Sequence, residues 1–424
     1  MRQIKLILVS VCILLILSGC AYLAPEAFTP TAIPTTAVPK TSAPTAVPTT
    51  AVPKTELSPE DIDLPADGWY SPVRTRHMGD FGEGGFFSTY KGMLTFTDLS
   101  SGTQVVLCSK PGCLHYDEPE KEDRIACDAN IPTDRNLFYR NGKLYYISGF
   151  DGAYLACRNA DGTGDMRIGR IAADYLTKDT TVTPSQFTCT ENYLYYRVDV
   201  GTVVADETGI HNKDFAWLVM RMNLKNGEEE LLEEYKLNEV PNLLGARDDM
   251  LLYYTKVIKD SGVKVKVWTE DTQQSVTLFS FERQQFRDAD YIADGKYYYL
   301  RWVEDESNWS TQCYTYDLVT RQHEDLGIQK APILNGRYAV CRSDTEALDH
   351  YLYDTVSNSP LPIDIGYSNA SINVVNLGPD GAVWDIICLG ENGTDGLQEY
   401  RYVPYSLLED GLQKTDGIIL NIGN

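Results

Sequence analysis

NGKLYYIS (141–148) joins a turn-forming Asn-Gly pair to a tyrosine-rich apolar strand, and relatives of it recur down most of the chain. Asn and Gly tolerate the positive φ of a tight hairpin, and a tyrosine ring packs well on a pleated sheet. In its fuller form, LFYRNGKLYYIS (137–148), the stretch reads as strand, turn, strand. Five more stretches follow the same plan: FTCTENYLYYRV (187–198), LLGARDDMLLYYT (243–255), YIADGKYYYLR (291–301), ILNGRYAVC (333–341) and VVNLGPDGAVWDII (374–387).

A second kind of hairpin alternates with the first. It is an alternating strand ending near Asp or Asn, a polar turn, then a short apolar strand. The copies are LTFTDLSSGTQVVL (94–107), YLACRNADGTGDMRI (154–168), LVMRMNLKNGEEELL (218–232), KVKVWTEDTQQSVTL (264–278), CYTYDLVTRQHEDL (313–326), HYLYDTVSNSPLPI (350–363) and, less cleanly, EYRYVPYSLLEDGL (399–412).

A repeat of roughly 40 to 60 residues carrying two hairpins is the signature of a propeller blade of four strands. With strands a to d running outward from the axis, the first kind is a-b and the second c-d. A sandwich would also show hairpins, but not in strict alternation with odd strands at opposite ends. The c-d pair at 94–107 is preceded only by GGFFSTY (84–90), while GIILNI (417–422) is left over at the other end. The expected fold is therefore an all-β, seven-bladed β-propeller of four-stranded antiparallel blades. It should be closed by the C-terminal strand acting as strand a of the first blade.

Length allows one large β domain or two to three smaller ones across 424 residues. Hydrophobic residues at 43% and charged residues at 23% are ordinary globular values. The net charge is -23, yet residues 1–55 carry +3, so the remainder carries -26. A body that acidic repels phosphate backbones, and no basic patch is visible, which argues against nucleic acid as a partner.

The N-terminus, MRQIKLILVSVCILLILSGC (1–20), has a basic start at Arg2 and Lys5, an apolar run from Ile4 to Leu17, and small residues before Cys20. This is the form of a signal peptide over 1–19, and the run is shorter than the roughly 20 residues a membrane-spanning helix requires. Residues 20–60 follow as a Pro/Thr-rich linker in which TAVPK occurs twice. Such a segment buries little and extends at about 3.1 Å per residue, so it can stand a domain on the order of 100 Å from an anchor. The propeller domain is assigned to 61–424, with an insertion at 108–134.

Together the lipobox-like leader, the Pro/Thr stalk, the L-Y-Y repeats and turns such as RNADGTGDMRI resemble bacterial surface lipoproteins with TolB-like or low-density-lipoprotein-receptor-like propeller domains. The resemblance covers about residues 70–424 beyond the leader. It implies lipidation of Cys20 and a lipid-anchored place on the extracytoplasmic side of the cell membrane. It implies little about activity.

In a propeller of this strand order the a-b and c-d turns lie on one face, and the b-c and d-a connections on the other. The long insertions, 108–134, 171–186 and 199–214, fall on the second face, which is where recognition is expected. The first begins CSKPGCLHYDEPEKEDRIACDAN, placing Cys108, Cys113, His115 and Cys127 in the spacing C-x4-C-x-H-x11-C. Two readings stand. One is a closed Cys3His structural zinc site holding a polar loop. The other is a disulfide in an exported protein, with Cys113–Cys127 closing a loop worth roughly 3 kcal/mol. The resemblance adds only that related lipoproteins carry a similar C-x-K-P-x-C-x-H stretch.

Catalytic signatures are mostly absent: no G-x-S-x-G elbow, no H-E-x-x-H helix and no phosphate-cradling glycine loop. His77, His211, His323 and His350 are scattered. The Asp161–Asp165 run fits a c-d turn without calcium. Trp302 and Trp309, flanking the acidic VEDESN segment, are the aromatic candidates for stacking on a sugar or peptide ligand. The sequence thus points to a monomeric, lipid-anchored propeller binding a protein, peptide or envelope glycan, with no assigned catalytic residue. The alternative is a glycan hydrolase or lyase using carboxylates at the channel mouth.

Overall fold

A computed structural model describes residues 57–71, 79–113, 115, 127–131, 136–148, 153–206, 209–236, 239–257, 262–282, 286–305, 308–329, 333–334, 336–342, 350–366, 370–388 and 397–422. The chain divides into two units, Met1–Thr55 and Glu56–Asn424. The leader, Cys20 and the linker up to residue 56 lie outside the described residues.

The second unit is a ring of seven antiparallel blades, each of four strands in chain order. They cover residues 79–106, 137–170, 180–236, 239–282, 286–329, 333–364 and 370–420. The reason for the tyrosine pairs lies in the pleat. Successive residues of a strand point to opposite faces, and in a propeller both faces of a blade are covered by neighbours. Tyr145 therefore packs towards blade 3 while Tyr146 packs towards blade 1. Likewise Tyr195 faces blade 4 and Tyr196 faces blade 2, and Tyr253 and Tyr254 divide between blades 3 and 5. Seven hydrophobic clusters result, one for each junction between neighbouring blades.

The c-d turns are built on the Asp or Asn that ends strand c. Asp98 accepts from the backbone N–H groups of Ser100 and Ser101, Asn223 from those of Lys225 and Asn226, and Asp317 from those of Val319 and Thr320. Asp354 repeats the arrangement with the Val356 N–H at 3.0 Å and adds the Arg337 guanidinium, whose Nε and Nη2 each lie 3.1 Å from its carboxylate. At the three aspartates these bonds favour the ionised form. The Ser100 hydroxyl and the Ser101 and Ser100 amides pull Asp98 down to about 2, and Arg337 with the Val356 amide pulls Asp354 to about 2.

Closure differs from the expectation. Strand a of blade 1 is β1 (Gly79–Gly82), which pairs with β2 (Gly85–Tyr90), so the first blade needs no borrowed strand. Its sequence GDFG reads as loop because glycine is poor in strands. Here glycine is required by close approach: a Cβ at Gly79 would lie 2.3 Å from the Phe87 carbonyl oxygen, and one at Gly82 would lie 2.4 Å from the Phe87 ring. The C-terminal strand (Ile418–Leu420) instead pairs with Gln398–Pro404 and is strand d of blade 7. Before reaching it, the chain crosses to blade 6, where Leu412–Gln413 adds in parallel to Ser359–Asp364. Blades 7 and 1 meet through side chains. Phe81 lies edge-on to Phe86 and Tyr402 at 5.0 and 5.8 Å, Asn376 donates to the Gly79 carbonyl at 3.0 Å, and Gln104 donates to the Asn421 carbonyl at 2.8 Å.

The segment 57–71 crosses the face that carries the a-b and c-d turns. Ile62 and Leu64 enter the cluster between blades 4 and 5, Arg321 donates to the Pro59 and Ile62 carbonyls, and Tyr70 bridges to Ala246. The Tyr70 hydroxyl reaches Glu191, and the Arg140 guanidinium lies over its ring at 4.4 Å.

On the opposite face the insertion at 199–214 is not a loop. It continues the b-c hairpin of blade 3 as two long strands, Tyr193–Asp206 and Gly209–Asn223, paired residue by residue with one shift between Val200 and Thr202. Residues 171–186 divide between a short 3-10 turn, Ala173–Tyr175, and the first part of strand a of blade 3, Thr180–Cys189.

Phe86, 2% exposed in the closing seam, has a partner cluster on blade 7. Phe86→Ala is expected to lose about 3–5 kcal/mol in a urea titration, with an unchanged β-sheet circular dichroism spectrum below the transition. For Asp98 and Asp354, a folded pKa below the unfolded value of about 3.9 means stability that is full above that value and is lost as pH falls towards 2. Asp354→Asn is expected to cost about 2 kcal/mol at pH 7 and to shrink the difference between urea midpoints at pH 7 and pH 3.

Candidate metal centre

The d-a connection leaving blade 1 starts where strand d (Gln104–Val106) ends, on the face that carries the b-c turns. Leu107 still donates to the Leu94 carbonyl, and Cys108 then turns away from the sheet. The chain returns at Cys127, and its next residues take the place beside strand c (Met93–Asp98) that strand d has vacated. Leu94 donates to the Ala129 carbonyl at 2.7 Å, Met93 bridges to Asn130, and Ile131 donates to the Gly92 carbonyl. Ala129 and Ile131 are buried between blades 1 and 2.

This path brings Cys108, Cys113, His115 and Cys127 together. The three sulfurs and one ring nitrogen of His115 all lie within 4.8 Å of one another. Cys127 Sγ and His115 Nδ1 are 3.5 Å apart. Zinc bonds of about 2.3 Å to sulfur and 2.0–2.1 Å to nitrogen in a tetrahedron would put them about 3.6 Å apart, so this edge already has the right length. Among the described residues it is the one group of three or more His, Cys, Asp or Glu with such convergence. All three cysteines are free thiols in the structure. His115 holds φ at +47°, a left-handed conformation that a non-glycine residue adopts at a cost and that brings its ring to the sulfurs.

Backbone amides support the sulfurs in a repeating way. The Lys110 and Asp128 N–H groups act on Cys108, and the Ala129 N–H acts on Cys127, so two of the three sulfurs are met by the residue two positions further on. Burial opposes ionisation at Cys108, but these amides and the neighbouring thiols bring its pKa below the ordinary thiol value. At Cys127, 7% exposed, burial dominates and pushes the thiol up to about 12. Outside the sulfurs, Asp128 holds Lys110 at 3.8 Å and the Ser109 hydroxyl at 3.2 Å.

The other sequence candidates separate from this site. Trp302 and Trp309 lie on the b-c hairpin of blade 5, where Lys296–Asp305 pairs with Asn308–Asp317; Trp302 is opposite Thr311, and Trp309 is opposite Glu304. Their side chains lie outside the described residues. Asp161 accepts the Thr163 amide and hydroxyl as a c-d turn residue, whereas Asp165 serves Arg158 and Tyr146, so the two carboxylates form no shared calcium site. His323 accepts or donates at 2.8 Å to the Tyr299 hydroxyl on the rim of blade 5. The residue that sequence reasoning missed is Arg158. It is 4% exposed and donates to the carbonyls of Asp128 and Asn130, next to Cys127.

No family model matches the chain, and no curated protein does. Among solved structures it is similar to an oligogalacturonate lyase from Vibrio parahaemolyticus, with a TM-score of 0.51 and 10% identity over 81% of this chain and 93% of that one. An oligogalacturonate lyase in complex with manganese gives 0.50 and 11% over 77% and 92%. Porphyromonas gingivalis dipeptidyl peptidase 4 gives 0.50 and 9% over 80% of this chain and 60% of that longer one. At these identities the likeness is one of fold, and it agrees with the propeller built above.

Proposed function

We propose that the chain is a lipid-anchored extracytoplasmic propeller that binds a protein, peptide or envelope glycan through its b-c and d-a face, with a structural zinc ion bracing that face. The observation that carries this reading is the gathering of the extended hairpins and the Cys/His connection on one side. The long b-c hairpin of blade 3, the blade 5 hairpin with Trp302 and Trp309, and the Cys/His cluster all belong to it, while the segment 57–71 lies on the other. Anchoring rests on Cys20 and the leader, and solubility of the monomeric body on its acidic charge.

Zinc suits the donors. Thiolates and an imidazole are soft ligands that favour zinc, whereas manganese favours carboxylate and water oxygens. Four protein ligands leave no open position, which suits structure rather than catalysis. The manganese of the lyase neighbour therefore has no counterpart in these residues.

The fold likeness to lyases is what favours the second reading, a propeller acting on glycans. A general acid would need a carboxyl held above its ordinary range. Among the described residues, each carboxyl with a shifted pKa, namely Glu60, Asp98, Asp161, Asp317 and Asp354, is instead lowered.

Native mass spectrometry of the full chain is expected to find one zinc per molecule; no metal, with the mass two hydrogens short and Cys113 linked to Cys127, would replace zinc by the disulfide. Affinity capture from envelope extracts is expected to retain a partner that is lost on Trp302→Ala with Trp309→Ala. Turnover of an oligogalacturonate or other glycan panel, with no partner retained, would favour the lyase reading.

A further inference from the structure

Arg158 lies on strand c of blade 2 (Tyr154–Asn159), 31 positions beyond Cys127, in a sheet whose two faces are both buried. A guanidinium 4% exposed must be compensated by hydrogen bonds and charge. Asp165 Oδ1 at 3.2 Å supplies the charge, and the Tyr146 hydroxyl at 3.1 Å and the faces of its ring supply part of the rest. Its Nη1 donates to the Asp128 carbonyl and its Nη2 also, at 3.4 Å, to that of Asn130 in the same turn, while among the described residues Nε has no partner.

That turn supplies the fourth ligand. The Asn130 N–H donates to the Cys127 carbonyl at 3.1 Å, which closes the turn and orients the Cys127–Asp128 peptide. The next carbonyl, that of Asp128, accepts from Arg158 Nη1, so the guanidinium holds the turn directly after the ligand.

We propose that Arg158 is the positioning residue of the zinc centre: through the Asp128 and Asn130 carbonyls it fixes the place of Cys127. This rests on the zinc reading above. It gives the centre a partner on the next blade, so the ion joins blade 2 to the connection leaving blade 1. Arg158 touches neither metal nor ligand atom directly.

The test is competition for zinc between the full chain and a chromophoric chelator, with wild type, Arg158→Met and Arg158→Lys compared, and cobalt(II) spectra taken on each. Arg158→Met is expected to weaken zinc binding by roughly 10- to 100-fold, the range typical of lost outer partners of metal ligands. Its cobalt(II) thiolate charge-transfer band should shift or weaken, and Arg158→Lys should give an intermediate loss. Should Arg158→Met not fold, the lysine variant carries the test. A lysine or methionine variant that binds zinc within twofold of wild type, with an unchanged cobalt spectrum and a Tm lowered equally with and without metal, overturns the proposal and leaves the zinc reading standing. A wild-type chain that takes up no zinc overturns both.

Discussion

Every blade of this ring has two buried faces, and the chain satisfies that with adjacent large apolar residues on its second strand. In a sheet with one wet face such a pair would put one ring in water. Here Tyr145 and Tyr146, Tyr195 and Tyr196, or Phe86 and Phe87, each reach a different neighbouring blade. At about 25 cal/mol for each Å2 of apolar surface removed from water, one fully buried aromatic side chain contributes a few kcal/mol, and the seven junctions multiply it. Rings close only if the last junction is as well packed as the others. Phe81, Phe86 and Tyr402 provide that packing without an exchanged strand.

The same constraint explains what could be read from sequence. Turn residues followed by paired aromatics are a local signal, so blades 2 to 6 were legible at nearly their true bounds, and the cysteine-histidine cluster was legible from its spacing. Strand a of blade 1 was not, because its two glycines are there to let the Phe86 and Phe87 side chains lie across them, and glycine carries no strand signal. The end of the chain departs from the expectation for a different reason. Leu412–Gln413 and Ile418–Leu420 are short, and which edge each joins is settled by long-range pairing that no local pattern encodes. Residues 199–214 read as an insertion because they lengthen the b-c connection, yet strand a of blade 3 lengthens with them, Thr180–Pro184 pairing with Val198–Thr202.

Arg158 left a signal that went unread. In a strand whose two faces are both covered, a charge has no wet side to take, so an arginine inside YLACRN announces a buried partner. Arg221 and Arg401, 5% and 4% exposed, follow the same rule with Glu230 and Glu399. In Arg158 the partner is a turn that holds a cysteine.

Because blade faces are spent on packing, whatever lies outside the blades must find its own support. The connection after blade 1 is long and polar in sequence, and Cys108, Cys113, His115 and Cys127 bring its start together with its return, where Ala129 and Ile131 re-enter the core beside strand c. A metal-held connection on the insertion-rich face is the claim on which the functional reading turns. Anomalous diffraction at the zinc edge from crystals of the protein tests it most directly. One peak is expected, about 2.3 Å from each of the three sulfurs and about 2.1 Å from His115 Nδ1. No peak, with continuous density joining the Cys113 and Cys127 sulfurs, would contradict it.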